Sequence, residues 1–242
     1  MVSEPAARGP VLLNVDAGEH DDEPDALYAL AHALNVACGG HAGDETSMTR
    51  VLTAARTHGV RAGAHPSYPD RAGFGRTTMA IDRDALARSL EAQCEALARI
   101  ARGLGVPLVH AKLHGALYHD ANRDPALAET CVRAVIAALG PVVIVGPPRG
   151  ALSQFCAREG LSYAREGFAD RAMRQDGTLV PRSAPGALIT DPSRAAAQAL
   201  RLVRDGCETI CVHADTAGAL EVARAVRAAL DAHAESATRA ER

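Results

Sequence analysis

The stretch Val11-Leu12-Leu13-Asn14-Val15-Asp16-Ala17-Gly18-Glu19 is a short apolar run that stops at two carboxylates on a glycine turn, with a helical pattern over Asp25 to Leu34 behind it. The same unit recurs along the chain. Runs with β-branched or period-two character lie at Asn35 to Cys38, Val60 to Ala64, Leu108 to Lys112, Val142 to Val145, Leu161 to Glu166 and Thr209 to Val212. Helical patterns separate them at Glu45 to His58, Asp82 to Leu104, Pro125 to Leu139, Gly150 to Glu159, Pro192 to Asp205 and Ala217 to Ala232. Asp82 precedes Leu86, Leu90 and Leu97 at helical spacing, and Gly103 and Gly105 bracket the end of that helix. Alternating strands and helices predict parallel pairing, and this many units fits a closed or nearly closed α/β barrel better than an open doubly wound sheet.

In a parallel barrel every strand delivers its carboxyl end to one face, so side chains far apart in sequence meet in one pocket. The runs close with Asp16 and Glu19, His41 and Asp44, His65 and Asp70, Lys112 and His114, Glu166 with Asp170 and Arg171, and His213 with Asp215. Two long loops, His65 to Met79 and Gly167 to Ile189, are of a size that is more often functional than idle. The pattern is that of an enzyme.

A chain of 242 residues that is 48% hydrophobic can bury one sizeable core, and a single domain is expected over 11–232 with flexible ends at 1–10 and 233–242. The formal charge of −3 is spread with both signs interspersed, which points to neither nucleic acid nor a membrane surface. Residues Met1 to Pro10 lack the apolar core of a secretory signal, and no stretch nears the roughly 20 apolar residues of a spanning helix, so a cytoplasmic location is expected. Six cysteines without a CxxC pair read as reduced core thiols. The CxxxCxH run of Cys207, Cys211 and His213 resembles a zinc pattern, but packing on one strand face accounts for it.

Asn14 puts a polar side chain inside a predicted strand, where it needs a partner. His41 stands among small residues, Ala37-Cys38-Gly39-Gly40 before it and Ala42-Gly43 after, which leave its imidazole open to a ligand. Asp44 after it suits a helix N-cap as well as a site. His65 comes directly off its strand into a loop stiffened by Pro66, Pro69, Gly73 and Gly75. Asp16, His41 and His65 form a facial set able to hold a divalent metal, although such histidines also serve as acid, base or hydrogen-bond donor. Lys112 falls in a strand buried on both faces and should meet a carboxylate or an anionic substrate. Arg171 and Arg182 suit bidentate capture of a carboxylate.

In order, the blocks LNxDxGE, NxACGxHAGD, GAHPxYPDxxGFGR, KxHGALY, FADRxxxxDGxLVPR and CVHxD make the chain similar to the LamB/YcsF family from about Leu12 to Glu221. The resemblance implies an irregular seven-stranded (β/α) barrel of the polysaccharide deacetylase-like type. It also implies the A-subunit role in an ATP-dependent 5-oxoprolinase, which opens the 5-oxoproline lactam to L-glutamate with B and C subunits. The chain has no GxxxxGK[ST] loop, so ATP handling would rest largely on those partners. Catalytic roles are expected for Asp16, Glu19, His41, His65, Lys112 and His114. Substrate contacts are expected from Asn14, Asn35, Asp44, Glu166, Asp170, Arg171, Arg182 and His213. His20-Asp21-Asp22, Gly40, Leu113, Met173 and Ala214 depart from the family pattern, and several of these changes are expected to remove bulk from the pocket. The alternatives are a metal-dependent amidase or deacetylase acting on another small substrate, and a non-catalytic paralogue that binds a small acid or partner subunits. A sugar substrate fits poorly with a chain that has no Trp and 3% aromatic residues.

Overall fold

A computed structural model describes residues 11–174, 178–182 and 184–240. The expected flexible start and the loop residues Asp176 and Gly177 lie outside the described residues. The strands are β1 (Leu12–Ala17), β2 (Ala33–Ala37), β3 (Arg61–His65), β4 (Leu108–Lys112), β5 (Val143–Gly146), β6 (Tyr163–Phe168) and β7 (Thr209–His213). They pair in chain order, all parallel, and β7 closes on β1 to form a barrel. The helices are α1 (Asp25–Leu30), α2 (Glu45–His58), α3 (Arg83–Leu104), α4 (Gly115–Arg123), α5 (Pro125–Leu139), α6 (Ala151–Arg158), α7 (Pro192–Arg204) and α8 (Ala219–Ala240).

Strand side chains alternate between the two faces of the sheet. Leu13, Val15, Val36, Ala64, Ala111, Ile144, Ile210 and Val212 face the helices, where they pack with Leu52, Leu90, Leu97 and Val226 into a fully buried apolar shell. The other face turns Asn14, Asp16, Asn35, His110, Lys112 and Thr209 inward, so the barrel's interior is polar where such barrels usually stack branched aliphatic side chains. Gly63 makes room for this lining, because a Cβ there would lie 2.4 Å from the His110 imidazole. The β3–β4 register shifts between Ala62 and Gly63.

The largest differences from the sequence reading are at three helices. α1 ends at Leu30, four residues before the expected Leu34, because Ala33 and Leu34 already pair with Asn14 and Val15 of β1. α4 had no counterpart in the sequence reading. It opens on Gly115, whose φ of 56° glycine adopts without strain, and Asp124 with Pro125 separates it from α5 by capping the next helix. α8 runs on through 233–240, which were expected to be a flexible end; there the Ser236 and Thr238 hydroxyls bond carbonyls four residues back.

α2 starts with a capping box in which the Asp44 carboxylate accepts from the Ser47 amide and Ser47 Oγ accepts from the Asp44 amide. The turn before it depends on Gly43, at φ 86°, where an added Cβ would stand 2.2 Å from the Ala37 carbonyl oxygen. Gly43→Ala is therefore expected to cost about 1–3 kcal/mol of stability. A lowered urea midpoint measures this, and an unchanged midpoint would contradict the geometry.

Candidate active site

Asp16 is buried at the carboxyl end of β1, and each of its oxygens has distinct neighbours. Oδ1 accepts from Asn35 Nδ2 at 2.8 Å and from Lys112 Nζ at 2.8 Å. Oδ2 lies 3.3 Å from His65 Nε2 and 3.9 Å from His213 Nε2. Burial works to raise the Asp16 pKa, but His65 and Lys112 outweigh it and hold the carboxyl well below its ordinary value.

Lys112, inside β4, has the partners that its burial demands. Its ammonium is 2.8 Å from Asp16, 2.9 Å from Glu166 Oε1 and 3.1 Å from Cys211 Sγ. Burial opposes the charge, yet the neighbouring carboxylates, Asp16 foremost, hold the Lys112 pKa well above the usual lysine range. Lys112 is thus a fixed cation between two carboxylates.

Across the mouth, the Asp170 carboxylate accepts from the His213 amide at 2.9 Å, from His213 Nδ1 at 2.9 Å and from Thr216 Oγ1 at 2.7 Å. Burial disfavours the imidazolium, but Asp170 prevails and raises the His213 pKa. The ring is oriented with Nε2 toward Asp16.

On the opposite side Glu19, His41, His65 and His114 crowd together. Glu19 Oε1 is 2.8 Å from His41 Nε2 and 3.1 Å from His114 Nδ1, and the His41 and His114 rings stack with centroids 3.5 Å apart. Burial pushes the His41 pKa down to about 3 and also lowers that of His114. The turn carrying Glu19 is clasped by Glu23, whose carboxylate accepts from the amides of Gly18, Glu19 and His20 and from the Tyr28 hydroxyl.

These groups open onto a cavity of about 260 Å³ at the carboxyl ends of the strands, lined by Asp16, Glu19, His65, Lys112, His114, Arg171, Arg182 and His213 among others. Arg182 and Arg76 both pair with Asp215 at its rim, and Arg76 also lies 4.6 Å over the Phe74 ring. Arg171 donates from Nη2 to the Val180 carbonyl at 3.0 Å, while its Nε is buried with no hydrogen-bond partner among the described residues. The arginines lining the cavity, Arg171 and Arg182, are of the type suited to a ligand carboxylate.

Most of the residues expected from the sequence therefore meet. Six do not line the cavity: His41, Glu166 and Asp170 are buried behind the lining residues Glu19, Lys112 and His213 that they touch, and Asp44, Asn14 and Asn35 serve elsewhere. Asp44 is exposed and caps α2. Asn14 and Asn35 lie one layer below, where Asn14 Nδ2 bonds Thr209 Oγ1 and Asn35 bridges Asn14 and Asp16, so they position the acid. His110, which the sequence reading did not single out, supports this layer through a 2.8 Å contact between its Nε2 and Asn35 Oδ1. Its place two residues before Lys112, on the same strand face, was the available signal. Glu23 and Arg76 join through contacts that no local pattern announces, and Asp215, which the sequence placed at the end of the last run, pairs with Arg76 and Arg182. Of the positions that depart from the family pattern, Leu113 lines the cavity, whereas Gly40, Met173 and Ala214 do not. Gly40 is instead enclosed by Ser67 and Gln93, within 2.5 Å of where a Cβ would stand. The six cysteines are free and buried.

A model of the LamB/YcsF family matches residues 11–242. The 5-oxoprolinase A-chain subunit of Methylococcus capsulatus is 43% identical over 238 residues, covering 91% of this chain and 92% of that one. The corresponding protein of Symbiobacterium thermophilum is 41% identical over 251 residues, with 94% and 95% covered. A crystal structure of a lactam utilization protein from Thermus thermophilus superposes with a TM-score of 0.84 at 37% identity, over 93% of this chain and 98% of that one. A family 4 carbohydrate esterase from Streptomyces lividans, at 13% identity and a TM-score of 0.51 over 94% and 91% of the two chains, shares the fold alone.

Proposed function

The chain belongs to the LamB/YcsF family, and from that premise we propose that it is the A component of an ATP-dependent 5-oxoprolinase, opening the 5-oxoproline lactam to L-glutamate with B and C subunits. Relatives that carry the corresponding name, at about 40% identity across nine-tenths of the chain, support the reading. The observation that carries it at the site is the pairing, around one cavity, of an ionised Asp16 with the guanidinium of Arg171. The first can draw a proton from water and the second can hold the substrate's carboxylate.

In the proposed reaction Asp16 Oδ2 accepts a proton from a water whose oxygen adds to the lactam carbonyl carbon. The negative charge that develops on the carbonyl oxygen is met by Lys112. The ring C–N bond then breaks, and its electron pair takes a proton, completing the amino group of glutamate. His213 is placed to supply that proton, because Asp170 favours its charged form and Nε2 points to the same spot as the base. Lys112 and Asn35 hold Asp16 Oδ1 and leave Oδ2 to act as the base.

Glutamate formation from 5-oxoproline and ATP by the purified chain mixed with its B and C partners tests the reading. Ligand binding without product under these conditions would favour the non-catalytic paralogue instead. In that assay Arg171→Lys keeps the charge and loses the planar fork. It is expected to raise KM by about 10- to 100-fold, the loss of a charge-assisted hydrogen bond, with kcat nearly unchanged. A selective fall in kcat would remove Arg171 from substrate capture.

A further inference from the structure

His65 and His114 direct lone pairs at each other. His65 Nδ1 is 2.8 Å from the Lys112 carbonyl oxygen, which can only accept, so Nδ1 carries the ring proton. His114 Nε2 is 3.0 Å from the Phe74 carbonyl oxygen, and the same reasoning puts its proton there. The remaining nitrogens, His65 Nε2 and His114 Nδ1, face each other at 3.0 Å with no hydrogen between two neutral rings. Glu19 Oε1, another acceptor, sits 3.6 Å from the first and 3.1 Å from the second. His41 Nε2 approaches the same carboxylate at 2.8 Å, while His41 Nδ1 is buried without a partner among the described residues. Such a convergence of acceptors requires a positive centre.

We propose that Glu19, His41, His65 and His114 bind one divalent first-row cation, of the class that prefers nitrogen ligands with one carboxylate, such as zinc. The four donor atoms lie within 4.8 Å of one another. Bonds of about 2.0–2.1 Å in a tetrahedral site imply ligand separations of about 3.3 Å; four of the six separations, 2.8 to 3.6 Å, bracket that value, and the parallel His41 and His114 rings must open their 3.5 Å stack for both to face one ion. A backbone carbonyl on the far nitrogen, seen at His65 and His114, is the support that metal-binding imidazoles commonly have. The set differs from the one expected from the sequence. Asp16 is not in it, since its carboxylate groups instead with Cys211 and His213, while Glu19 and His114 enter. A site closed by four protein ligands anchors the loops after β1, β2 and β3 and the start of α4. This deepens the proposed function, whose cavity it adjoins, but its test requires neither B and C subunits nor turnover.

The full-length chain, purified without chelator and passed through gel filtration, is expected to retain close to one equivalent of metal by elemental analysis. Cobalt loading is expected to give visible d–d bands, and a strong chelator to lower the melting temperature. Glu19→Gln and His114→Gln are each expected to reduce retained metal at least tenfold, while Asp16→Asn keeps it. Should those variants fail to fold, the wild-type chain stripped and titrated with zinc, cobalt and manganese decides the matter. Less than about 0.1 equivalent retained after such loading, with an unmoved melting temperature, would overturn the site in favour of a proton shared between His65 and His114. Equal metal in the Glu19→Gln and His114→Gln chains would overturn it as adventitious binding.

Discussion

Asp16→Asn is expected to lower glutamate formation by the reconstituted complex by about 10²- to 10⁴-fold, the range for removing a positioned general base. The substitution is nearly isosteric. The carbonyl oxygen of the new amide could still accept from Lys112 and Asn35, and Lys112 keeps Glu166 at 2.9 Å as a counter-charge. Stability is therefore expected to change little, and the loss should fall on kcat with KM nearly constant. Steady-state kinetics alongside a melting curve separate the two effects. Activity retained within tenfold would remove Asp16 from the chemistry and move attention to Glu19, the other carboxylate that lines the cavity.

Lys112→Met carries the largest expected effect on stability. Lys112 neutralises two carboxylates that have almost no exposure to water, Asp16 and Glu166. Breaking a buried ion pair from one side costs about 3–5 kcal/mol, because the stranded charge has nowhere to go. For a chain of 242 residues that corresponds to a melting temperature lower by roughly 6–20 °C. The methionine fills similar space, so a cavity does not explain the loss. Adding Glu166→Gln to the same chain removes one stranded charge and is expected to recover part of it. A drop of under about 2 °C for Lys112→Met alone would mean that water reaches these carboxylates, contrary to the structure.

The barrel and its rim were legible because the same unit repeats: an apolar run, a polar closing residue, then a helix. That repetition places Asp16, His41, His65, Lys112, Glu166 and His213 at one end without any long-range information. What stayed hidden was set by distance along the chain. Arg76 with Asp215 spans 139 positions and His110 with Asn35 spans 75, and only the closed sheet brings these pairs together. α4 escaped because its nine residues begin at a glycine, which reads as a loop. Asp44 had two readings from the sequence, and its capping box with Ser47 decided between them. Gly40, one of the departures from the family pattern, removes no bulk from the cavity, since it packs against Ser67 and Gln93.

Strict sequential order around the sheet has a consequence for how this protein can change. Position along the polypeptide maps onto angle around the mouth. The imidazole cluster is assembled wholly from residues 19–114, and the guanidinium side of the opening from residues 171–215 together with Arg76. Mutations arriving in the later part of the gene can therefore retune which acid is admitted while the earlier part keeps its apparatus intact. Asp16 and Lys112 form the seam between these two inheritances, and there drift in either half would be felt by both.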